Sequence, residues 1–235
     1  MGWMNNPGRV AGVWYLLIIL IGPLRLVYIP RKLFVDGDAM ATVQNIAAHE
    51  WLFRIGMLSE LVGALMLVFL TLAFYRLFAG VDRGLAVQVV IFGGIMPGLL
   101  YFVNVATDAG ALMVVRGADF LSMTDRPQRD ALVMFLLRLH DHQFDATLML
   151  AGMWLFPLGL LVYKSRFLPR LLGLWLIVAG CAWLILCVTA YLFPQYQGRG
   201  FAILQPVFFG EIALTLWLLI KGARPPGVPV EMATN

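Results

Sequence analysis

Ionisable residues interrupt one long apolar stretch at a spacing that could carry chemistry. Residues 138–145 read RLHDHQFD, so Arg138, His142 and Asp145 fall at positions i, i+4 and i+7 of a helix. Asp141 precedes Asp145 by four residues, so one helix face carries a cation, an imidazole and two carboxylates. Imidazole and carboxylate groups ligate divalent metals and transfer protons. The segment is therefore the first place to look for a site.

The spacing of the histidines argues against a metal site built from two of them. His140 and His142 are two residues apart, so on a helix they point about 200° apart. The metalloprotease motif HExxH is absent, as are GxSxG, the P-loop and the dinucleotide-binding fingerprint. His49 beside Glu50 stands in a polar stretch and is interpreted as solvated. His140 and Asp141 are the candidates for a metal, and the sequence identifies no cofactor.

Other polar residues stand inside apolar stretches elsewhere in the chain. A charge near the centre of a bilayer costs roughly 2.5–3.5 kcal/mol on insertion scales, so such residues usually face a cavity, pair, or act. Glu60, Asp145 and Glu211 stand deepest in their stretches and are expected at comparable depths. The residues predicted to line a polar pocket are Glu60, His140, Asp141, Asp145, Glu211, Arg54, Arg138, Arg25, Asn104 and Asp108.

Composition identifies the elements that must position these residues. Of the 235 residues, 61% are hydrophobic and 13% are charged, whereas soluble domains have about 45–50% and about 25%. Each helix that crosses a bilayer needs about 20 apolar residues. We therefore predict an all-α polytopic transmembrane helical bundle of about six spans, near residues 10–29, 53–78, 85–106, 138–163, 170–193 and 201–220.

The segments between the spans give further expectations. Residues 39–51 are predicted to form an amphipathic helix at the membrane surface, and 107–130 the longest loop, although 111–115 could extend the third helix. Gly93, Gly94, Pro97 and Gly98 predict a kink or close helix packing. We expect a single domain over residues 1–222 and a short disordered tail over 223–235.

The charges predict orientation and exclude one class of partner. Eight Lys and Arg residues fall on the side of the termini and six on the other, which predicts cytoplasmic termini in a bacterial inner membrane. Eleven of the thirteen acidic residues and all three histidines fall on the outer side. The net charge of +4 is spread among loops, which predicts contact with the lipid bilayer and no nucleic acid. Protein partners are not identified.

Several functions are compatible with this pattern. Buried carboxylates paired with Arg25, Arg54 or Arg138 could simply hold helices in register. A pocket open to the extracytoplasmic side could bind a small or lipid-like ligand, with aromatic and methionine side chains as walls. An intramembrane hydrolase, metal-dependent or not, could attack a lipid or ester. An accessory subunit of a larger membrane complex is a further alternative.

Five segments carry a family resemblance. They are RVAGVWYLL from Arg9, LFRIG from Leu52, LHD at 139–141, FLPRLLG at 167–173, and GE at 210–211 followed by WLLIKG at 217–222. Over residues 9–222 the chain resembles the bacterial integral-membrane proteins grouped as domain of unknown function 4386. The resemblance implies a multi-span protein and no particular reaction. The family often has an aromatic residue at the position of His142, which favours His140 and Asp141 and singles out Arg54 and Glu211 as partners.

Overall fold

The computed structural model describes residues 6–35, 37–117 and 125–225, which are almost entirely helical and contain no strand. The α-helices are Pro7–Pro23, Ile29–Leu33, Ala39–Ala48, Glu50–Phe78, Arg83–Val90, Met96–Val115, Arg126–Ser165, Arg170–Leu192 and Gln197–Ile220. Two π-helical turns, Leu24–Tyr28 and Ile91–Ile95, and a 3₁₀ turn, Pro194–Tyr196, join consecutive helices.

Six helical segments are long and apolar enough to cross a membrane. They are Pro7–Leu33, Glu50–Phe78, Arg83–Val115, Arg126–Ser165, Arg170–Leu192 and Pro194–Ile220, numbered here as the first to sixth spans. The shortest has 23 residues, and at about 1.5 Å per residue it exceeds the roughly 30 Å hydrocarbon core. The prediction of an all-α polytopic membrane protein with about six spans is confirmed.

The third and fourth spans are longer than the apolar pattern predicted. The third continues to Val115 and the fourth begins at Arg126, so a loop over residues 107–130 is wrong. The Asp125 carboxylate accepts a hydrogen bond from the Gln128 N–H at 3.0 Å and caps the start of the fourth span. The backbone hydrogen bonds of a helix form in water as well as in lipid. A helix therefore need not end where its sequence becomes less apolar.

Both π-helical turns lie next to proline. Pro97 has no N–H to donate to the carbonyl of residue 93, and Pro30 has none for residue 26, so the regular ladder is interrupted at each place. The turn Ile91–Ile95 is the irregularity that the glycines near Pro97 predicted. Pro30, in contrast, does not end the first span, which runs on to Leu33.

Close packing explains the glycines of the third span. A Cβ on Gly93 would lie 2.6 Å from Cε3 of Trp154, and one on Gly94 would collide with the Thr71 hydroxyl. The predicted close helix packing is confirmed at these two positions. Small residues give membrane helices their tightest contacts, because lipid supplies no hydrophobic force to press larger ones together.

The chain divides into two compact units. The first comprises Met1–Leu16, Leu67–Met96 and Leu148–Asn235, and the second comprises Leu17–Met66 and Pro97–Thr147. A single domain over residues 1–222 stays a prediction, and most of the predicted tail, from residue 226 onward, lies outside the described residues. The core of the second unit includes Leu33, Ile46, Phe53 and Val133.

Two helical segments begin with an aspartate cap. Asp38 accepts a hydrogen bond from the Ala41 N–H at 2.9 Å and starts the helix Ala39–Ala48, within the segment predicted to be helical. Asp82 accepts one from the Leu85 N–H at 3.1 Å and starts the third span. It also accepts a hydrogen bond from Lys164 Nζ at 3.0 Å, which lowers the pKa of the Asp82 carboxyl below its ordinary value.

Candidate functional site: a charged cavity in the second unit

A cavity of about 320 Å³ lies within the second unit, lined by the first four spans and Phe34. Its ionisable lining residues are Arg25, Glu60, Asp108, His140 and Asp141. Most of the other lining side chains are apolar. The cavity therefore combines charged groups with an apolar wall, the mixture found in pockets that bind small molecules.

Helical spacing brings each lining group to the cavity. The second span contributes Phe53, Gly56, Met57 and Glu60, which repeat at three- and four-residue intervals along one face. The fourth span contributes positions 137, 140, 141 and 144 with the same spacing. The second span thus presents Glu60 among apolar neighbours, and the fourth presents His140 and Asp141.

Glu60 is the most deeply buried acid of the site, with 4% of its surface exposed. Its Oε1 atom lies 3.7 Å from Nη1 of Arg25 and 3.6 Å from Nε2 of His140. Its Oε2 atom is buried and has no hydrogen-bond partner among the described residues. Burial of a carboxylate oxygen without a donor is costly, so this atom stands out as incomplete.

Asp108 fixes the ring of His140. The Asp108 Oδ1 and His140 Nδ1 atoms are 2.9 Å apart, and Asp108 is 8% exposed. Because an ionised carboxylate only accepts hydrogen bonds, this contact places the proton on Nδ1 and directs Nε2 towards Glu60. The imidazole therefore lies between two carboxylates from different spans and is hydrogen-bonded to Asp108 alone of the two.

Tyr101 holds the guanidinium of Arg25. Arg25 Nη2 donates a hydrogen bond to the Tyr101 hydroxyl at 3.0 Å, and the guanidinium carbon lies 4.4 Å from the centre of the ring. Tyr101 was not among the residues predicted from the sequence. Tyr101, Asn104 and Asp108 share one helix face at i, i+3 and i+7, and this spacing is the signal that could have found it.

The charges of the site do not balance. Glu60, Asp108 and Asp141 carry three negative charges when ionised, against one positive charge on Arg25. Asp141 is exposed and is offset by the nearby charge of Arg138, so the less exposed groups Glu60, Asp108 and Arg25 carry a net charge of −1 with His140 neutral. Unbalanced charge of this kind in a partly desolvated site is a reason to expect a positive group that the side chains themselves do not supply.

Of the fourth-span residues that charge spacing grouped on one face, Asp141 lines the cavity and the others do not. His140 and Asp141 line the cavity, with Asp141 exposed. His142 and Asp145 lie on another face, with His142 Nδ1 4.0 Å from Asp145 Oδ2, and Arg138 is exposed. His140 and His142 therefore point to different sides, as their spacing predicted.

Two other predicted residues, Arg54 and Asn104, are not among those that line the cavity. Arg54 is exposed and pairs with Glu50 at 2.7 Å, Nε to Oε1. Asn104 is fully buried in the second unit, and its amide atoms have no hydrogen-bond partner among the described residues.

Glu211 belongs to the first unit, where it meets two aromatic donors. Its carboxylate accepts hydrogen bonds from the Tyr15 hydroxyl and from Trp183 Nε1, the latter at 3.0 Å. Tyr15 and Trp183 were also not predicted from the sequence, because aromatic residues are common throughout such helices. Glu211 is not among the residues that line the cavity, and its predicted role in a ligand pocket stays a prediction.

These features define a multi-pass membrane protein with a charged cavity among its first four spans. Residues 10–222 match the sequence model of a family described as "Domain of unknown function (DUF4386)", and the chain belongs to that family. The membership predicted from short segments is thereby confirmed, and the family description names no reaction.

Part of the chain is also similar to an archaeal protein. An "Uncharacterized protein" from Archaeoglobus fulgidus is 36% identical over 73 residues, which are 31% of this chain and 42% of that protein. The chain therefore spans less than half the length of this relative. No solved structure matches.

Proposed function

We propose that this protein binds a small, lipid-like amphiphile in the cavity of the second unit. The cavity opens to the extracytoplasmic side of a bacterial inner membrane, with both termini in the cytoplasm. The single observation that carries the proposal is the buried Glu60 carboxylate on the cavity wall, whose Oε2 atom has no donor among the described residues.

The walls of the cavity suit an apolar body. Phe53, Met57 and Phe144 contribute aromatic and thioether surface, which adapts to irregular shapes. The volume of about 320 Å³ falls at the lower end of the roughly 300–1,000 Å³ range of ligand pockets. Leu26 lines the cavity and is 49% exposed, so the wall continues to a surface that lipid can reach.

The ionisable residues suit a polar head. A ligand group beside Glu60 would complete the coordination of the orphaned oxygen and replace the water lost on burial. The purely structural alternative explains the ion pair with Arg25 and gives no reason for an apolar cavity beside it. Ligand binding accounts for the cavity and supplies a partner for the oxygen.

The test fills the cavity with protein atoms. Gly56 lines it, and a Cβ at this position would lie 3.6 Å from Ile29, so a small side chain is tolerated. Gly56→Leu should occupy the space needed by the ligand. The matched control is Leu65→Phe, on the same span at a side chain that is 53% exposed.

Decanol carrying a diazirine, added to the protein in nanodiscs, is the probe. We expect saturable photolabelling of residues 53–60 and 137–144 in the wild type and in Leu65→Phe. Gly56→Leu should weaken it about tenfold or more, because the new side chain takes up volume that the ligand needs and a loss of only about 1.4 kcal/mol in binding free energy is tenfold. Labelling that does not saturate, or that is equal in all three proteins, would contradict ligand binding in the cavity.

A second candidate function is the intramembrane hydrolase. The observation that favours it is the proximity of Glu60, Asp108 and His140, whose potential ligand atoms all lie within 4.8 Å of one another. A metal held there could activate water against an ester. The accessory-subunit alternative stays a prediction.

A further inference from the structure

We propose that the cavity of the second unit holds one divalent metal ion, of the zinc class, bound by Nε2 of His140 and by the Glu60 carboxylate. Asp108 is a positioning residue that holds the imidazole. This inference rests on the proposed function and identifies the metal ion as the group that binds the polar head of the amphiphile. The head would be an oxygen donor, namely a carboxylate or carbonyl group.

The distance between the two ligand atoms supports the assignment. His140 Nε2 and Glu60 Oε1 are 3.6 Å apart, which is too long for a hydrogen bond. Zinc binds imidazole nitrogen and carboxylate oxygen at about 2.0–2.2 Å, so two ligands at a tetrahedral angle are separated by roughly 3.3–3.6 Å. The pair is therefore spaced as two ligands of one ion.

The contact behind His140 supports it independently. A histidine that ligates a metal usually donates its other ring N–H to a carboxylate, which fixes the tautomer and orients the ring. Asp108 occupies that place, 2.9 Å from Nδ1. Its carboxylate thus leaves Nε2 as the atom available to an ion.

Glu60 supplies the observation that points to a ligand rather than to a self-contained cluster. The residue is 4% exposed and lines the cavity, and its buried Oε2 has no hydrogen-bond partner among the described residues. Arg25 lies 3.7 Å from the other oxygen and is also held by Tyr101, so one guanidinium does not satisfy both oxygens. An ion that the carboxylate binds through both oxygens would satisfy Oε2 as well as Oε1.

The charges agree with a divalent cation and an anionic head. The less exposed groups Glu60, Asp108 and Arg25 sum to −1 with His140 neutral, which is the form that ligates a metal. A divalent ion brings this sum to +1, which a carboxylate head neutralises. The ion also has coordination positions left for ligand oxygen, which favours an oxygen-donor head over an ammonium head.

Metal binding is measured first without any amphiphile. Full-length protein stripped with a chelator is titrated with Co²⁺, and Zn²⁺ is added in competition. We expect one Co²⁺ per chain, displaced by Zn²⁺. Cu²⁺ bound to the wild type should show electron-spin coupling to a single imidazole nitrogen, a readout that needs no variant and survives if a variant fails to fold.

The variants assign the ligands. His140→Ala and Glu60→Gln should each weaken Co²⁺ binding about 100-fold or more, whereas Asp108→Asn should weaken it about 10–100-fold, as loss of an orienting partner does. His142→Ala is the matched control on the same span and should bind like the wild type. Absence of stoichiometric Co²⁺, or equal affinity in His140→Ala and the wild type, would overturn the metal site.

Competition against the diazirine-decanol label separates this inference from the proposed function. With Zn²⁺ bound, decanoate should compete at least about tenfold better than decylamine, and a chelator should reverse the order. Saturable labelling without metal binding would overturn the metal and leave the amphiphile site standing. Metal binding without saturable labelling would overturn the amphiphile site, and a preference for decylamine over decanoate with Zn²⁺ present would overturn the assigned head group.

Discussion

Removing Arg25 should destabilise the protein more than any exposed arginine, because Glu60 would lose its nearest positive charge. The Arg25 side chain is 12% exposed and that of Glu60 is 5% exposed. Breaking a buried pair by removing one partner costs about 3–5 kcal/mol, most of it the cost of the charge left behind. We expect Arg25→Met to lower the free energy of unfolding by about that amount.

The double variant Arg25→Met/Glu60→Gln tests the reason for this loss. With the carboxylate gone, the remaining cost should be about 1–2 kcal/mol, from the hydrogen bond and the ring contact that Arg25 makes with Tyr101. The two substitutions should therefore be coupled by an energy on the order of 2 kcal/mol.

Steric-trap unfolding in lipid bicelles, with a chelator present, gives the required free energies. The control cycle uses Arg54→Met and Glu50→Gln, whose side chains are 42% and 29% exposed. A pair of this kind, four residues apart on a helix, should couple by only about 0.3–0.5 kcal/mol. If the Arg25 and Glu60 substitutions add without coupling, or couple no more than the control pair, the ion-pair argument for the site is refuted.

Two further predictions concern the first unit and the first span. The Lys164 hydrogen bond holds the pKa of Asp82 below its ordinary 3.8, so its stabilisation is complete above that pH and fades as pH falls through and below it. Melting temperatures between about pH 6 and pH 2 should show an acid loss that Lys164→Met reduces, and an equal loss in both proteins would contradict this. Gly94→Ala should cost about 1–3 kcal/mol through its collision with Thr71, whereas Gly22→Ala, with nothing within 4 Å, should not destabilise the protein in the same melting assay.

The six spans could be predicted because the bilayer imposes one requirement on all of them. About 20 apolar residues in a row satisfy it, and local composition alone reveals them. The ends of the helices were predicted less accurately. Residues 126–137 are helical although they include Arg126, Arg129 and Asp130, because a backbone that satisfies itself need not stop where lipid ends. The π-helical turn Leu24–Tyr28 was not predicted, since its sequence reads as ordinary helix.

The site was harder to predict because a membrane helix has no strongly hydrophilic face to fix its rotation. The charge spacing of the fourth span grouped Asp141 with Arg138, His142 and Asp145, yet Asp141 lines the cavity together with His140, which that spacing left out. Contacts between spans are also invisible in local sequence. The bond between Asp108 and His140 joins residues 32 positions apart.

The π-helical turn Leu24–Tyr28 predicts how relatives of this protein differ in length within the first span. The Ile29 N–H bonds to the Leu24 carbonyl, so this turn holds one residue more than an α-helical turn. A deletion in a regular α-helix would rotate the residues before it by about 100°. Here the wider turn already accommodates the extra residue, so deleting it would restore an α-helical turn and keep the preceding residues in phase with Ile29 and Leu33. A relative that lacks the extra residue should show a gap of a single position between Pro23 and Pro30. Its small and apolar residues before the gap should be displaced by one position in the sequence and still face the same side, which marks the insertion as a heritable change that leaves helix rotation intact.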